Sequence, residues 1–321
     1  MTDGYKKVNI FQIIADNITA IRISIVCCGG MKMKNTIFTG VCTAMVTPFL
    51  GDRINYPMME VLLRRQINAG ISAVVIAGTT GEAPTLSDCE KIELFRRCKE
   101  FAGDQLKIIA GTGSNSTQHA VELSIAAQEA GADGLLIVSP YYNKATESGL
   151  IAHYMSIAQA VKIPIILYNV PSRTGVDIPV SVYQRLAQIP NIAGVKEAST
   201  SIEKVIMIRS LCGADFAVWT GNDNMTVPVT SLGGKGVISV MSNVCPEEVN
   251  TMTMAALDGD FDTAADLQIK LKGLSDLLFC EVNPIPVKAA MRLIGYDCGN
   301  CRLPLTPLSQ VNERKLKAYI S

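Results

Sequence analysis

The chain alternates short apolar runs with longer segments in which apolar and charged side chains recur at helical spacing. Residues 88–101, for example, place Ile92 and Phe95 opposite Arg96 and Arg97. The apolar runs are rich in Val, Ile and Ala and start roughly 20 to 35 residues apart, the length of one strand, one helix and two loops. They lie at residues 41–46, 73–77, 107–110, 134–138, 165–168, 192–196, 217–220 and 236–240. This pattern predicts eight consecutive βα units with parallel strands.

Eight βα units form either an open doubly wound sheet or a closed barrel. The open fold usually carries a G-x-G-x-x-G turn after its first strand, and residues 43–51 contain no such motif. We therefore predict an α/β protein with a (β/α)8 TIM barrel over residues 33–258. After the eighth strand the pattern predicts more helices than one barrel unit requires, at residues 246–257, 262–278, 284–293 and 308–319. Residues 259–321 are accordingly predicted to form a C-terminal helical subdomain.

Residues 1–32 precede the regular pattern and are predicted to be either an N-terminal extension or the result of a misplaced start. Their apolar stretch, residues 10–26, is interrupted by Asp16, Asn17 and Arg22, which makes it too polar for a membrane span. It also lacks the design of a signal peptide. The alternative is a short amphipathic helix that packs on the outside of the barrel.

Charge and cysteine content narrow the class of protein further. Lysine and arginine together number 29, as do aspartate and glutamate, so no polyanion-binding surface is expected and neither nucleic acid nor membrane is a predicted partner. The ten cysteines follow no disulfide framework, which indicates reduced thiols in a cytoplasmic protein. Cys298 and Cys301 form a lone C-x-x-C without the second ligand pair of a structural zinc site.

In TIM barrels the active site lies at the carboxyl ends of the strands. The second predicted strand is followed by Gly78, Thr79, Thr80 and Gly81, whose glycines allow a tight turn and whose hydroxyl groups share one mouth. Such a loop can hold a carboxylate. The alternative is an ordinary turn between a strand and a helix.

Phenol groups follow the fourth and fifth predicted strands. Tyr141 and Tyr142 come after the fourth, and Tyr168 ends the fifth, followed by Arg173 in a loop limited by proline and glycine. A tyrosine hydroxyl can relay protons, and a guanidinium can clamp a carboxylate. The alternative is that the tyrosines are interfacial anchors and Arg173 a solvated loop charge.

The sixth predicted strand ends in a lysine, Lys196. Alternation places Ile192, Gly194 and Lys196 on one face, and if that face points inward we expect Gly194 to leave space beneath the lysine stem. Burial disfavours the charged ammonium, and a neutral amine can attack a ketone. The alternative is a lysine that extends to the surface from a strand end. Metal-assisted enolisation of a 2-oxo acid is less favoured, because the two histidines, His119 and His153, lie in predicted helices.

Together these strand-end motifs resemble the 4-hydroxy-tetrahydrodipicolinate synthase (dihydrodipicolinate synthase) family, from about residue 37 to the C-terminus. The motifs are G-T-T-G-E at 78–82, P-Y-Y-N at 140–143, Y-N-V-P-S-R-T-G at 168–175, V-K-E at 195–197 and G-V-I-S-V at 236–240. Residues 283–288 and 302–304 are also similar to the family's C-terminal region. The V-K-E motif alone marks only the broader superfamily of pyruvate-dependent class I aldolases and N-acetylneuraminate lyases.

The resemblance implies a role for each matching residue. Lys196 would form a Schiff base with pyruvate, and the remaining residues would bind substrate or move protons. The proton relay would consist of Tyr168, Thr79 and Tyr142. Thr80 would bind the pyruvate carboxylate, and Arg173 would bind the carboxylate of L-aspartate 4-semialdehyde. The pyruvate pocket would be lined by Gly221 and Ile238.

The resemblance also implies the first committed step of lysine biosynthesis through diaminopimelate, with no cofactor and no metal. The tyrosine that matches Tyr142 enters the neighbouring subunit's site in this family, which implies a homotetramer built as a dimer of dimers. Two alternatives stay open: another Schiff-base lyase, such as N-acetylneuraminate lyase or a 2-oxo-3-deoxy-sugar-acid aldolase, and a non-catalytic ligand-binding barrel. An intact set of Lys196, Tyr168 and Thr79 argues against the non-catalytic barrel.

Lysine-inhibited members of the family carry an effector site that this chain matches only in part. Asn115 and Tyr141 fit that pattern, whereas other matching positions depart from it, namely those of Pro84, Asp88, Lys91 and His119. The resemblance therefore implies weak or no inhibition by lysine.

Overall fold

The computed structural model describes residues 36–320. Within them eight parallel strands close into a barrel, and two further strands of two residues each form a small antiparallel hairpin. The strands are β1 (Gly40–Ala44), β2 (Phe49–Leu50), β3 (Arg53–Ile54), β4 (Ala73–Ile76), β5 (Lys107–Gly111), β6 (Gly134–Val138), β7 (Ile165–Asn169), β8 (Ile192–Glu197), β9 (Ala217–Thr220) and β10 (Gly236–Ser239). The predicted TIM barrel and its eight strands are confirmed.

Helices follow the barrel strands, and further helices follow the last strand. Those between β3 and β10 are α1 (Tyr56–Asn68), α2 (Asp88–Ala102), α3 (Thr117–Glu129), α4 (Glu147–Ala160), α5 (Pro171–Thr174), α6 (Val180–Leu186), α7 (Ile202–Leu211) and α8 (Thr226–Ser231). After β10 come α9 (Pro246–Asp258), α10 (Phe261–Lys270), α11 (Lys272–Leu278), α12 (Ile285–Leu293) and α13 (Gln310–Ile320). No helix within the described residues combines the length and apolarity needed to cross a membrane.

Local sequence fixes the ends of several helices. Ser87 caps α2 in a capping box, in which its hydroxyl accepts from the Glu90 amide and the Glu90 carboxylate accepts from the Ser87 amide. Gly70 and Gly131 follow α1 and α3 with φ of +71° and +91°, the left-handed conformation that glycine adopts at low cost. These turns aim the chain directly into β4 and β6.

Apolar side chains form two layers on either side of the strands. Between strands and helices lies the larger layer, and a smaller cluster fills the barrel interior, including Val75, Ile109, Ile166, Trp219 and Ile238. Alternate residues of most barrel strands supply the two layers, as expected for inward and outward faces. In β8 a register shift against β7 places both Ile192 and Val195 in the outer layer, so the expectation that Ile192 shares a face with Lys196 is wrong. The interior is therefore a packed core, and polar chemistry is confined to its carboxyl-end mouth.

One sequence prediction about local structure is wrong, and one element was not predicted. The single helix predicted at residues 262–278 is divided at Leu271 into α10 and α11, because helical periodicity continues across the break and hides it. The β2–β3 hairpin was not predicted, since strands of two residues have no detectable alternation. The predicted extension at residues 1–32 lies outside the described residues, and the division between barrel and C-terminal subdomain near residue 258 stays a prediction.

Candidate active site

Lys196 and Tyr168 lie side by side at the barrel mouth. They are paired in register on β8 and β7. Both are almost fully buried, at 5% and 6% exposure, and Nζ of Lys196 lies 4.4 Å from the centroid of the Tyr168 ring. Within residues 36–320 this ammonium has no ion-pair partner. A buried ammonium over an aromatic face and without a counter-charge in contact is held in place yet chemically available.

Gly221 and Ile238 are the two residues predicted to line the pyruvate pocket. A Cβ atom on Gly221 would lie 2.9 Å from Cε of Lys196, closer than real Cβ contacts. Ile238, on β10, is fully buried and belongs to the interior cluster that includes Tyr168. The structure thus brings both predicted lining residues to the predicted site.

The role expected of Gly194 is wrong. A Cβ atom there would lie 2.0 Å from the main-chain oxygen of Ala217, so this glycine permits the close approach of β9 to β8. The residue whose missing side chain leaves space for the Lys196 stem is Gly221.

The loop after β4 has a strained backbone at residues other than its glycines. Ala77 and Glu82 have positive φ values, of +53° and +59°. Glu82 is anchored by a buried ion pair with Lys288 of α12, at 2.8 Å, and also accepts from the main-chain N–H of Arg302 at 2.8 Å. Thr80, which lies between Ala77 and Glu82 in the sequence, is buried and accepts a hydrogen bond from Asn283. Residues that follow the barrel therefore hold the Thr79–Thr80 loop in place.

A cleft of about 690 Å³ opens next to this loop. Thr79, Tyr168 and Arg173 line it, together with Tyr141. Of the other predicted residues, Lys196, Thr80 and Ile238 are buried and Gly221 is half-buried, and none of the four lines the cleft. Arg173 is exposed, and its Nη2 donates to the main-chain oxygen of Asn283 at 3.2 Å.

Tyr142 is the one predicted residue that a single chain does not bring to the site. Its side chain is 90% exposed, its φ is +70°, and it does not line the cleft. Within the described residues no hydrogen bond joins Thr79 to Tyr168. The predicted relay of three hydroxyl groups is therefore not assembled in one copy of the chain.

Asp223, which follows β9, is a buried carboxylate that sequence reasoning missed. It accepts hydrogen bonds from Oγ of Ser239 at 2.5 Å and from the amides of Val240 and Met241 at 3.1 Å each. Burial raises the pKa of this carboxyl above its usual range. A run of G-N-D-N after a strand carries no local sign that the aspartate points inward, so only the fold identifies it.

A second polar cluster lines the outer part of the cleft. His119 Nε2 lies 2.8 Å from a carboxylate oxygen of Asp88, and Lys91 Nζ lies 3.5 Å from the other. Pro84 and Asn115 line the same cleft. The residues that depart from the lysine-effector pattern thus lie together, and Asp88 is already in contact with both Lys91 and His119.

Comparison with known proteins identifies the family. Residues 37–321 match the model of the dihydrodipicolinate synthetase family. The chain belongs to this family. Among proteins similar to this chain is the 4-hydroxy-tetrahydrodipicolinate synthase of Acetivibrio thermocellus, which is 47% identical over 285 residues, covering 89% of this chain and 97% of that protein.

Solved structures of dihydrodipicolinate synthases have the same fold. The crystal structure of the Aquifex aeolicus enzyme matches with a TM-score of 0.87 at 43% identity, over 88% of this chain and 97% of that one. The Acinetobacter baumannii enzyme complexed with pyruvate matches with a TM-score of 0.85 at 42% identity, over 88% and 97% of the two chains. The predicted family and fold are both confirmed.

Proposed function

We propose that this protein is a 4-hydroxy-tetrahydrodipicolinate synthase that condenses pyruvate with L-aspartate 4-semialdehyde through a Schiff base on Lys196. The activity is the one for which its relatives are named, so the reaction expected from the sequence is borne out at the level of the family. The observation that carries the assignment of residues is the position of Lys196, a buried amine without an ion-pair partner, next to Tyr168 at the mouth of a barrel.

The first half of the reaction activates pyruvate. The neutral amine of Lys196 attacks carbonyl carbon C2, and loss of water gives an imine. The imine withdraws electrons from the pyruvate methyl group, which loses a proton and leaves an enamine. Tyr168 is the neighbouring proton donor and acceptor, because it is the phenol paired with Lys196 across β7 and β8.

The second half forms the carbon–carbon bond. The enamine carbon attacks the aldehyde carbon of the semialdehyde, and the resulting alkoxide takes a proton. The amino group of the semialdehyde then attacks C2 of the imine, and expulsion of the Lys196 amine closes the ring and frees the enzyme. Each step conserves electrons without an external oxidant or reductant, so the barrel supplies only position, a proton path and a nucleophile.

Two polar groups are placed to orient the substrates. Thr80 is the buried hydroxyl of the β4 loop and holds the pyruvate carboxylate, while exposed Arg173 on the cleft wall takes the carboxylate of the incoming semialdehyde. Thr79, also on that wall, continues the proton path from Tyr168.

A second copy of the chain completes the site in this proposal. Tyr142 is highly exposed and does not line the cleft of its own chain, which supports the assignment that it enters the site of a neighbour. The assembly is a homotetramer built as a dimer of dimers, and it works in the cytoplasm. The feature of this chain that supports such an assembly is Tyr142, a large aromatic residue that is exposed and has a positive φ.

The test is consumption of pyruvate with and without L-aspartate 4-semialdehyde. Wild-type protein should consume pyruvate only when the semialdehyde is present. Arg173→Ala should raise the semialdehyde KM at least about tenfold, because a charge-assisted bond to the carboxylate is lost. Arg185→Ala, which removes an exposed arginine of α6, is the matched control and should leave KM unchanged. Release of pyruvate from N-acetylneuraminate or a 2-oxo-3-deoxy sugar acid, without turnover of the semialdehyde, would contradict the proposal.

A further inference from the structure

We propose that Asn283 is a positioning residue of the carboxylate subsite, where it directs the hydroxyl group of Thr80 toward the bound 2-oxo acid. This inference rests on the function proposed above, which places the pyruvate carboxylate at Thr80. Asn283 lies between α11 and α12, after the barrel in the sequence, and is only 5% exposed. It extends the site beyond the strand ends, where active-site residues of barrels are usually found.

Asn283 contacts both the loop after β4 and the short helix α5 that follows β7. Its side-chain Nδ2 donates to Oγ1 of Thr80, after β4, at 3.0 Å. Its main-chain oxygen accepts from Nη2 of Arg173, after β7, at 3.2 Å. The two contacts use different parts of the residue. A substitution of the side chain therefore removes the contact with Thr80 and leaves the contact with Arg173.

The direction of the first hydrogen bond determines what Thr80 can do. An amide nitrogen donates and does not accept, so Oγ1 of Thr80 is the acceptor and its own proton stays available. Within the described residues this hydroxyl makes no other side-chain hydrogen bond. A carboxylate only accepts, which makes the free proton of Thr80 its matching donor. Asn283 thus keeps a buried hydroxyl in the orientation that a carboxylate ligand needs.

The other end of the Asn283 amide indicates that the site is built for a ligand. Its Oδ1 is buried and has no hydrogen-bond partner within residues 36–320. Buried polar atoms of native proteins are nearly always paired, so an unpaired oxygen at this place points to a donor that arrives with the ligand or its water. The residue therefore contributes one satisfied contact that orients Thr80 and one open acceptor beside it.

The experiment measures trapping of pyruvate alone, so that it does not depend on the second substrate. Wild type, Asn283→Ala and Asn283→Asp are incubated with increasing pyruvate, reduced with borohydride, and analysed by intact mass for the reduced pyruvyl adduct. Asn283→Ala should need about tenfold more pyruvate for half-maximal trapping, the loss expected for a hydrogen bond that orients a donor to a charged group. Asn283→Asp should need still more pyruvate, because the new carboxylate accepts the hydrogen bond of the Thr80 hydroxyl and repels the pyruvate carboxylate.

Steady-state kinetics separate positioning from a general loss of structure. For Asn283→Ala the KM for pyruvate should rise, while the KM for the semialdehyde should change less than about twofold, because Arg173 contacts only the main chain. Thr80→Val should cause a smaller further loss in Asn283→Ala than in the wild type, since both changes weaken the same contact between Thr80 and the carboxylate. Asn300→Ala, which removes an exposed asparagine side chain that also follows the barrel in the sequence, is the matched control and should retain wild-type trapping.

The possible outcomes separate this inference from the function on which it rests. Equal trapping by wild type and both Asn283 variants would overturn the positioning role. Parallel rises in both KM values would also overturn it and indicate a structural role. Absence of trapping in the wild type would instead remove the proposed Schiff-base function itself.

Discussion

Lys196 and Glu197 are consecutive residues of β8, yet their side chains occupy opposite environments. On the inner side, the Lys196 ammonium contacts the Tyr168 ring and has no ion-pair partner within residues 36–320. On the outer side, the Glu197 carboxylate accepts hydrogen bonds from Asn169, Tyr183 and the amide of Ser199, at 2.8, 3.2 and 2.8 Å. Both residues are buried, at 5% and 4% exposure. The difference is therefore one of pairing: the inner charge is left available, and the outer charge is fully engaged.

The outer network explains how the inner pair is held. Lys204 of α7 contacts Asp177, and its Nζ lies 3.8 Å from Glu197, while Asn169 of β7 donates to both carboxylates. Burial, together with the Glu197 carboxylate, raises the pKa of Tyr183 well above its usual range. This network joins β7 to β8 at the level where Tyr168 faces Lys196. A rigid outer face thus fixes a reactive inner face.

Replacing Tyr168 on the inner face and Tyr183 on the outer face by phenylalanine should give the largest contrast between these faces. Tyr168→Phe keeps the ring beneath Lys196 but removes the proton donor, so kcat should fall about 10²- to 10³-fold while Tm stays within about 2 °C. Tyr183→Phe removes the outer donor to Glu197, so Tm should fall while kcat changes little. Steady-state kinetics and thermal melting of both variants check this. A Tyr168→Phe enzyme that keeps wild-type kcat would remove Tyr168 from the proton path.

Deleting the outer carboxylate should affect stability more than binding. Glu197→Ala leaves Lys204 without one of its two carboxylate neighbours, at a cost of about 3 kcal/mol, and should lower Tm by roughly 5 to 10 °C. The KM for pyruvate should change little in the variant that remains folded. Glu203→Ala, an exposed glutamate of α7, is the control and should leave Tm unchanged. Equal melting temperatures for the two variants would show that the network does not stabilise the barrel.

The buried histidine makes stability depend on pH. His153 is 3% exposed, and burial lowers its pKa to about 4. An unfolded chain binds this proton near pH 6.5, so the unfolded state is increasingly favoured as pH falls from about 6.5 to about 4, by up to roughly 3 kcal/mol. His153→Gln should therefore show a smaller decrease in Tm over this range. Thermal melting of wild type and His153→Gln across this pH range checks this, and identical curves for the two proteins would contradict the assignment.

Addition of lysine should have the smallest effect. Asp88 is already bonded to His119 and Lys91, and the Lys91 ammonium repels a cationic ligand on that side of the cleft. Initial rates measured against L-lysine, with D-lysine as the control for ionic strength, should show weak or no inhibition. Strong, saturable inhibition by the L-isomer alone would show that this cluster rearranges to bind it.

Sequence reasoning succeeded where a feature is local. The apolar runs located all eight barrel strands, and a lysine that closes one of them indicated the position of the site. It failed where partners are distant in sequence. Asn283 and Thr80 are separated by 203 residues, and Lys288 and Glu82 by 206, so no spacing rule connects them. The role expected of Gly194 failed for the same reason, because the atom that requires a glycine there belongs to β9.

The central claim is that Lys196 alone is the reactive amine, and intact mass after treatment with pyruvate and borohydride tests it most directly. Wild type should gain one reduced pyruvyl group per chain, and Lys196→Ala should gain none. Lys204→Ala, which removes the lysine of the outer network, should still gain one. An adduct that persists in Lys196→Ala, or a wild-type protein without an adduct, would contradict the account.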